Sequence, residues 1–215
     1  MKYITLTFAA LLAACSSAQS AETPARPDVQ LSGEKDTAIL AGGCFWCVES
    51  DFEKLAGVYE AVSGYSGGDM QNPTYRNHGQ HVEVAKITFD PTVISYEEVL
   101  DYYWRHVDPT DNGGQFCDRG NAYIPVIYAR PDQLAEVKAS KAEIEDIKPF
   151  AAPIRVPILP AKTFWKAEEY HQDYYLKNPA AYNRYRKGCR RDAVVKSLWE
   201  SETKAKANTS YGSGN

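Results

Sequence analysis

The sequence predicts an α+β domain of the split β-α-β, ferredoxin-like kind: a two-layer sandwich with an antiparallel/mixed sheet, helices on one face and a C-terminal extension. Two observations carry this. Up to Tyr128 the segments alternate as β-α-β-β-α-β, the strand segments being short apolar or alternating runs and the helical ones repeating apolar residues at helical spacing. Glycine and proline clusters stand mostly at the junctions between them.

Taken in order, Ala38-Ile39-Leu40-Ala41 reads as a buried strand over 38–42, and an amphipathic helix runs from Cys44 to Leu55 and ends at Gly57. Val58–Val62 reads as a strand entering a glycine cluster, Gly64-Tyr65-Ser66-Gly67-Gly68, which reads as a loop continued by Gln71–Tyr75. Alternation over Val84–Phe89 argues a strand with one covered face, stopped by Asp90-Pro91. Ser95 and Glu98 make a capping box, and Tyr96, Val99, Leu100, Tyr103, Trp104 and Val107 then follow helical spacing, so this helix lies on a core. Asp108–Gly114 is a long turn. Tyr123–Tyr128 reads as a strand that Pro125 assigns to an edge or a bulge. A polar helix over about Asp132–Ile147 and an edge strand at Ile154–Leu159 follow, and the tyrosine-rich stretch 164–198 is expected to wrap the domain as short helices and loops.

At 215 residues the chain is one ordinary domain with appendages, without internal repeats, and a net charge of −4 suggests no nucleic-acid partner. The appendage at the start reads as an address. Met1-Lys2 is positive, Ile4–Leu12 is apolar but too short to span a bilayer, and Leu12-Ala13-Ala14-Cys15 looks like a bacterial lipobox. Residues 1–14 are therefore expected to be a lipoprotein signal, with Cys15 carrying the lipid and 15–36 a flexible tether. The alternative is ordinary cleavage near Ala18-Gln19-Ser20, releasing a soluble periplasmic protein. A domain over 37–199 and a disordered tail over 200–215 complete the expected organisation.

The chemistry centres on Gly42-Gly43-Cys44-Phe45-Trp46-Cys47, at a strand-to-helix turn. The glycines permit a tight backbone, and the free N–H groups and positive dipole end of the helix favour thiolate over thiol. Cys44 thus reads either as a nucleophile or, more plainly, as a buried structural cysteine. Cys44 and Cys47, three apart on a helix, can reach one another as a redox pair. A closed zinc site would need a second cluster, and Cys117 and Cys189 stand isolated, so no metal is expected. Of the adjacent rings Phe45 and Trp46, one can serve the core; the other is left for a ligand, and rings beside a thiol suit a methylthio group. Glu83, Tyr75, Tyr123 and Asp118 are the polar candidates. Each also has a plain reading, as a solvated strand-end carboxylate, as packing tyrosines in a chain with 15 of them, or as a turn cap. His78 and His81 read as structural loop residues.

Taken together, Gly43-Cys44-Phe45-Trp46, Gly64-Tyr65-x-Gly67-Gly68, Asn72-Pro73-Thr74-Tyr75, His81-x-Glu83-Val84, Phe89-Asp90-Pro91 and His106-x-Asp108-Pro109-Thr110 resemble the peptide methionine sulfoxide reductases of the A class. The likeness runs from about residue 37 to Tyr170-His171-Gln172-Asp173-Tyr174. It implies that Cys44 attacks the sulfoxide sulfur, that a neutral Glu83 protonates the departing oxygen, that Tyr75 and Tyr123 hydrogen-bond that oxygen, and that Asp118 orders the network. Phe45 and Trp46 would wall the methyl pocket. The substrates implied are free methionine sulfoxide and oxidised proteins, as the S epimer. Cys44 is left as a sulfenic acid, a second thiol converts it to a disulfide, and a thioredoxin-like dithiol reduces that, with no bound cofactor.

This chain departs from the family pattern in several places. Cys47 stands where glycine is usual, Cys117 where asparagine is usual, and Ile124-Pro125 where Arg-Ser is usual; the Tyr75–His81 loop is shorter. The usual glycine-rich tail with its resolving cysteine is replaced by Tyr185-Arg186-Lys187-Gly188-Cys189-Arg190-Arg191-Asp192. Cys189 is expected to resolve Cys44, ahead of Cys47 and then Cys117. Two rival readings stand beside the reductase: a general thiol-disulfide oxidoreductase using Cys44-Cys47, and a lipoprotein whose cysteines are structural. An exported reductase also implies a membrane-relayed thioredoxin-like donor.

Overall fold

The computed structural model describes residues 31–209, with side chains described through residue 200. The signal 1–14, Cys15 and most of the tether 15–36 lie outside the described residues, as does 210–215. β1 (Asp36–Ala41) leads to α1 (Phe45–Phe52), β2 (Val58–Ser66), β3 (Val82–Phe89) and α2 (Tyr96–Trp104). A small hairpin of β4 (Gly114–Gln115) and β5 (Asp118–Arg119) precedes a 3-10 turn (Asn121–Tyr123), β6 (Val126–Ala129), α3 (Leu134–Ile147), β7 (Ile158–Pro160) and β8 (Trp165–Lys166). α4 (Tyr174–Lys177), α5 (Pro179–Gly188) and α6 (Arg191–Thr209) form the C-terminal extension.

The main sheet is mixed, in the order β7-β6-β1-β3-β2-β8, with β6 and β7 parallel and every other neighbouring pair antiparallel. Side chains alternate across it with a period of two. Ala38, Leu40, Ala85, Ile87, Phe89, Ile127 and Ala129 thereby meet Val48 and Phe52 of α1, Val99, Leu100 and Trp104 of α2, and Val137 and Ile144 of α3 in one core. Trp104 is fully buried and gives its indole N–H to Ser140 Oγ at 2.9 Å, so its polar edge is satisfied. The same alternation places Glu83, two residues before Ala85, on the helix-bearing side, beside its cross-strand partner Tyr65. A smaller cluster of Ala41, Val82, Val84, Val126 and Tyr128 covers the opposite face.

The capping box forms as expected: Ser95 Oγ accepts from Glu98 N at 3.1 Å and Glu98 Oε2 accepts from Ser95 N at 2.8 Å. Replacing Ser95 by alanine orphans that first-turn N–H. Unfolding in urea should show the Ser95→Ala protein about 1 kcal/mol less stable.

Four elements differ from the sequence expectation. β2 continues through Gly64-Tyr65-Ser66, which composition had assigned to a loop. There β8 pairs along Gly64 and Tyr65, and a side chain at Gly64 would collide with Phe164 and the Trp165 carbonyl, so the glycine serves a close strand approach. β6 starts after Pro125 and lies inside the sheet between β1 and β7; the proline's missing N–H falls outside the ladder and forces no edge. β7 is an edge strand but starts at Ile158, because Ile154 and Val156 turn into the core. Lastly, α6 passes through residue 199, where the domain was expected to end, and runs to Thr209.

Candidate active site

After β1 the chain turns through Gly42 and Gly43, and Cys44 becomes the N-cap of α1 with φ −52° and ψ 122°. Gly43 has φ +83°, and a Cβ on it would sit 2.6 Å from Cβ of Gln115, so both the backbone angle and the space demand glycine. Gln115 is itself fixed, accepting from Asp108 N and donating to Asp108 O, each at 2.8 Å. From the other side Arg191, the first residue of α6, donates to Gly42 O at 2.8 Å and to His106 O at 2.7 Å. The turn that aims Cys44 is therefore braced by the β4–β5 hairpin and by the C-terminal extension.

Cys44, Phe45, Trp46, Tyr75, Glu83, Asp118, Tyr123 and Tyr185 line one small cleft of about 60 Å³. The sequence named all of these except Tyr185. Phe45 is the core ring, 1% exposed and packed on His171 and Tyr65 at centroid distances of 4.9 and 5.8 Å. Trp46 is the rim ring, stacked on Tyr174 at 3.8 Å, with its indole N–H donated to His171 Nδ1 at 3.0 Å. The Tyr123 hydroxyl hydrogen-bonds that of Tyr75, which is 41% exposed. Glu168 holds Tyr75 in place by accepting its backbone N–H at 2.9 Å. Tyr185 donates to Asp118 Oδ2 and also bonds the Cys44 sulfur.

The two loop histidines do not line the cleft. His81 accepts from Gly68 N at 3.2 Å and bonds Met70 O at 2.8 Å, and His78 stacks on Tyr65.

The charges are set by burial. Glu83 is 1% exposed and accepts the Phe45 N–H at 3.0 Å; burial pushes its carboxyl up to about 8 against that bond, and Asp118 and Cys47 push the same way. The first free N–H of α1 thus serves the carboxyl. The expectation that the helix end favours a Cys44 thiolate is corrected accordingly: burial first, then Cys47 and Glu83 beside it, push the Cys44 thiol well above its ordinary value. Cys47 goes the other way. The hydrogen bond from Cys44, then Arg191 and Arg186, draw its thiol down against burial.

Cys189, expected as the resolving thiol, is instead joined to Cys117 in a disulfide with Cα atoms 4.9 Å apart, while Cys44 and Cys47 are free and buried. The bridge ties the β4–β5 hairpin to the end of α5. One helical turn earlier, Tyr185 reaches Asp118, the residue after Cys117, so the same two segments are joined twice. The buried Glu49 and Glu53 and the half-exposed Asp173 form an acidic group that does not line the cleft, with Glu49 accepting from Ser63 Oγ and from Asp173 N at 2.6 Å.

Residues 36–203 match the family described as peptide methionine sulfoxide reductase. The chain belongs to that family. A Rhizobium meliloti peptide methionine sulfoxide reductase MsrA 2 is 49% identical over 173 residues, covering 78% of this chain and 85% of that protein. The Vibrio cholerae protein named peptide methionine sulfoxide reductase MsrA/MsrB is 46% identical over 176 residues, 80% of this chain, and this chain spans 47% of that protein's length. Among solved structures, Mxr1 from Saccharomyces cerevisiae in reduced form superposes with a TM-score of 0.64 at 28% identity, over 74% of this chain and 94% of that one.

Within this reductase family member Tyr185 has a testable place. Tyr185→Phe keeps the ring against Trp46, at 6.0 Å between centroids, and removes the hydroxyl shared by Asp118 and Cys44. Loss of a hydrogen bond to a charged group predicts a fall of about tenfold or more in kcat/KM. Unchanged steady-state kinetics would reduce Tyr185 to packing.

Proposed function

We propose that the cleft reduces methionine S-sulfoxide, free or within oxidised proteins, to methionine. One observation carries this: a buried thiol, Cys44, and a buried carboxyl held neutral at pH 7, Glu83, face one small cleft walled by Phe45 and Trp46. The rings hold the methylthio end. Cys44 attacks the sulfoxide sulfur, Glu83 gives its proton to the oxygen and regains one from the thiol, and Tyr75 and Tyr123 donate to that oxygen while Asp118 orders the network. In sum, Cys44–SH and R₂S=O become Cys44–S–OH and R₂S.

Cys47 then resolves the sulfenic acid. This replaces the preference for Cys189, because Cys47 is hydrogen-bonded to Cys44 whereas Cys189 is held by Cys117. The Cys47 S–H and the Cys44 S–OH are lost together as water, leaving a Cys44–Cys47 disulfide, which a thioredoxin-like dithiol protein reduces to two thiols. The reading of residues 1–14 and Cys15 extends this to an exported, lipid-anchored enzyme facing the periplasm or cell surface, with the soluble periplasmic form as its alternative; the Leu12-Ala13-Ala14-Cys15 motif supports it. The inner strand order β6-β1-β3-β2, antiparallel throughout, supports the split β-α-β, ferredoxin-like description of the core.

Assay of the two separated epimers of a methionine sulfoxide peptide tests the reading. The S epimer should turn over and the R epimer should not. Equal rates for both, or turnover of neither with a dithiol supplied, would sink it.

A further inference from the structure

We propose that Arg186 and Arg191 of the C-terminal extension are positioning residues for the second chemical step, holding Cys47 ready as the nucleophile that resolves oxidised Cys44. The proposal rests on the reading of Cys47 as the resolving thiol and adds what makes it reactive.

Cys47 is 2% exposed, and a thiol so buried is ordinarily inert. Something must offset the cost of a charge there. Cys47 and Asp51, four residues apart on α1, share one helix face. On that face Arg186 meets Asp51 Oδ1 at 2.7 Å, and Arg191 Nε lies 3.5 Å from Asp51 Oδ2 without a hydrogen-bond partner of its own. Arg186 also donates to the Tyr182 hydroxyl at 2.9 Å and pairs with Asp192, whose side chain is 67% exposed and screened by water. Arg191 is anchored by its bonds to Gly42 O and His106 O and lies against the Phe116 ring at 4.8 Å.

The groups acting on Cys47 can be set out by element. Cys44 and Asp51 belong to the start and face of α1, Glu83 to β3, Tyr182, Tyr185 and Arg186 to α5, and Arg191 to α6. Burial keeps Cys44, Glu83, Tyr182 and Tyr185 neutral at pH 7, so the anions set against the two cations are Asp51 and, at the exposed rim where water screens it, Asp192. The balance of charge acting on the sulfur is positive and favours the Cys47 thiolate. In the step itself the Cys47 sulfur bonds the Cys44 sulfur, the Cys44 S–O bond breaks, and the hydroxyl leaves as water with one proton. The sulfenic sulfur is reduced and the Cys47 sulfur oxidised to the disulfide level.

The test separates the two steps in enzyme with Cys44 and Cys47 as thiols and the Cys117–Cys189 disulfide intact, mixed with methionine S-sulfoxide and no reductant. Methionine released reports the first step, and the lifetime of the sulfenic acid, trapped with a dimedone-type reagent, reports the second, both followed across pH. In Arg186→Gln the rise of the second step should move to higher pH and its rate at pH 7 fall about tenfold, the effect of one pH unit on a thiolate fraction. Methionine release should change by less than about twofold, because Arg186 touches none of the groups placed on the sulfoxide. Arg191→Met should act in the same direction and Arg191→Lys, which keeps the charge, should recover most of the loss. An unchanged pH profile in Arg186→Gln, or an Arg191→Lys no better than Arg191→Met, overturns the proposal. Cys47→Ser isolates the reading beneath it: sulfenic acid that still disappears at the wild-type rate in that variant removes Cys47 as resolving thiol, whatever the arginines do.

Discussion

Cys44→Ser should abolish sulfoxide reduction, with kcat falling by at least about 10⁴-fold, to background, while the fold is kept. The oxygen of the sulfoxide has to be accepted by a sulfur, and a serine hydroxyl at the same place neither ionises near neutral pH nor forms a sulfenic acid. No other thiol substitutes, since Cys117 and Cys189 are joined to each other and Cys47 sits a turn further into the helix. The variant should also be at least as stable as the wild type. Cys44 is the N-cap of α1 and makes no side-chain capping bond, and serine is among the residues that favour that position. Methionine formed per mole of enzyme, read beside a thermal midpoint, separates lost chemistry from lost fold. Residual activity of a few per cent in a folded variant would mean that another thiol starts the reaction.

The site was legible where the determinants are local. A strand meeting a helix through two glycines placed Cys44 at a helix start, and the alternation of β3 that buries Ala85, Ile87 and Phe89 carries Glu83 to the same face. The family motifs supplied roles for Tyr75, Tyr123 and Asp118, which spacing alone left among ordinary packing and turn residues; all three line the cleft. What escaped is long-range. The Cys117–Cys189 bridge and the Tyr185–Asp118 bond join segments separated by 72 and 67 residues, a pairing that no local pattern encodes. Tyr185 was one ring in a tyrosine-rich run with nothing to set it apart. The expectation of a Cys44 thiolate failed for a related reason: helix-end polarity can be read from a few residues, but burial depends on Phe45, Tyr65 and Ala167 packing in one cluster with the cysteine.

Glu83→Gln should separate the reductase from a general thiol-disulfide oxidoreductase. In the proposed reaction Glu83 is the acid, and its proton is available because burial raises the carboxyl to about 8. At pH 7, one unit below that value, about nine molecules in ten carry the proton. The sign follows from which form works: reduction is sustained below about pH 8 and declines as pH rises through it, because the carboxylate has no proton to give. Glutamine fills the same space and can still accept the Phe45 N–H, which is made at 3.0 Å in the parent, so the turn should hold. It cannot donate a proton to the leaving oxygen as an acid does. The rate of methionine formation should therefore fall about 10²- to 10⁴-fold, the usual worth of general acid catalysis, and the alkaline decline near pH 8 should vanish from what remains. Cys44 should stay alkylatable throughout. The rival predicts the reverse, disulfide reduction of an insulin-type substrate that survives Glu83→Gln untouched. Sulfoxide turnover retained in the variant, with the decline near pH 8 still present, would take the proton away from Glu83 and assign that ionisation to the thiol pair.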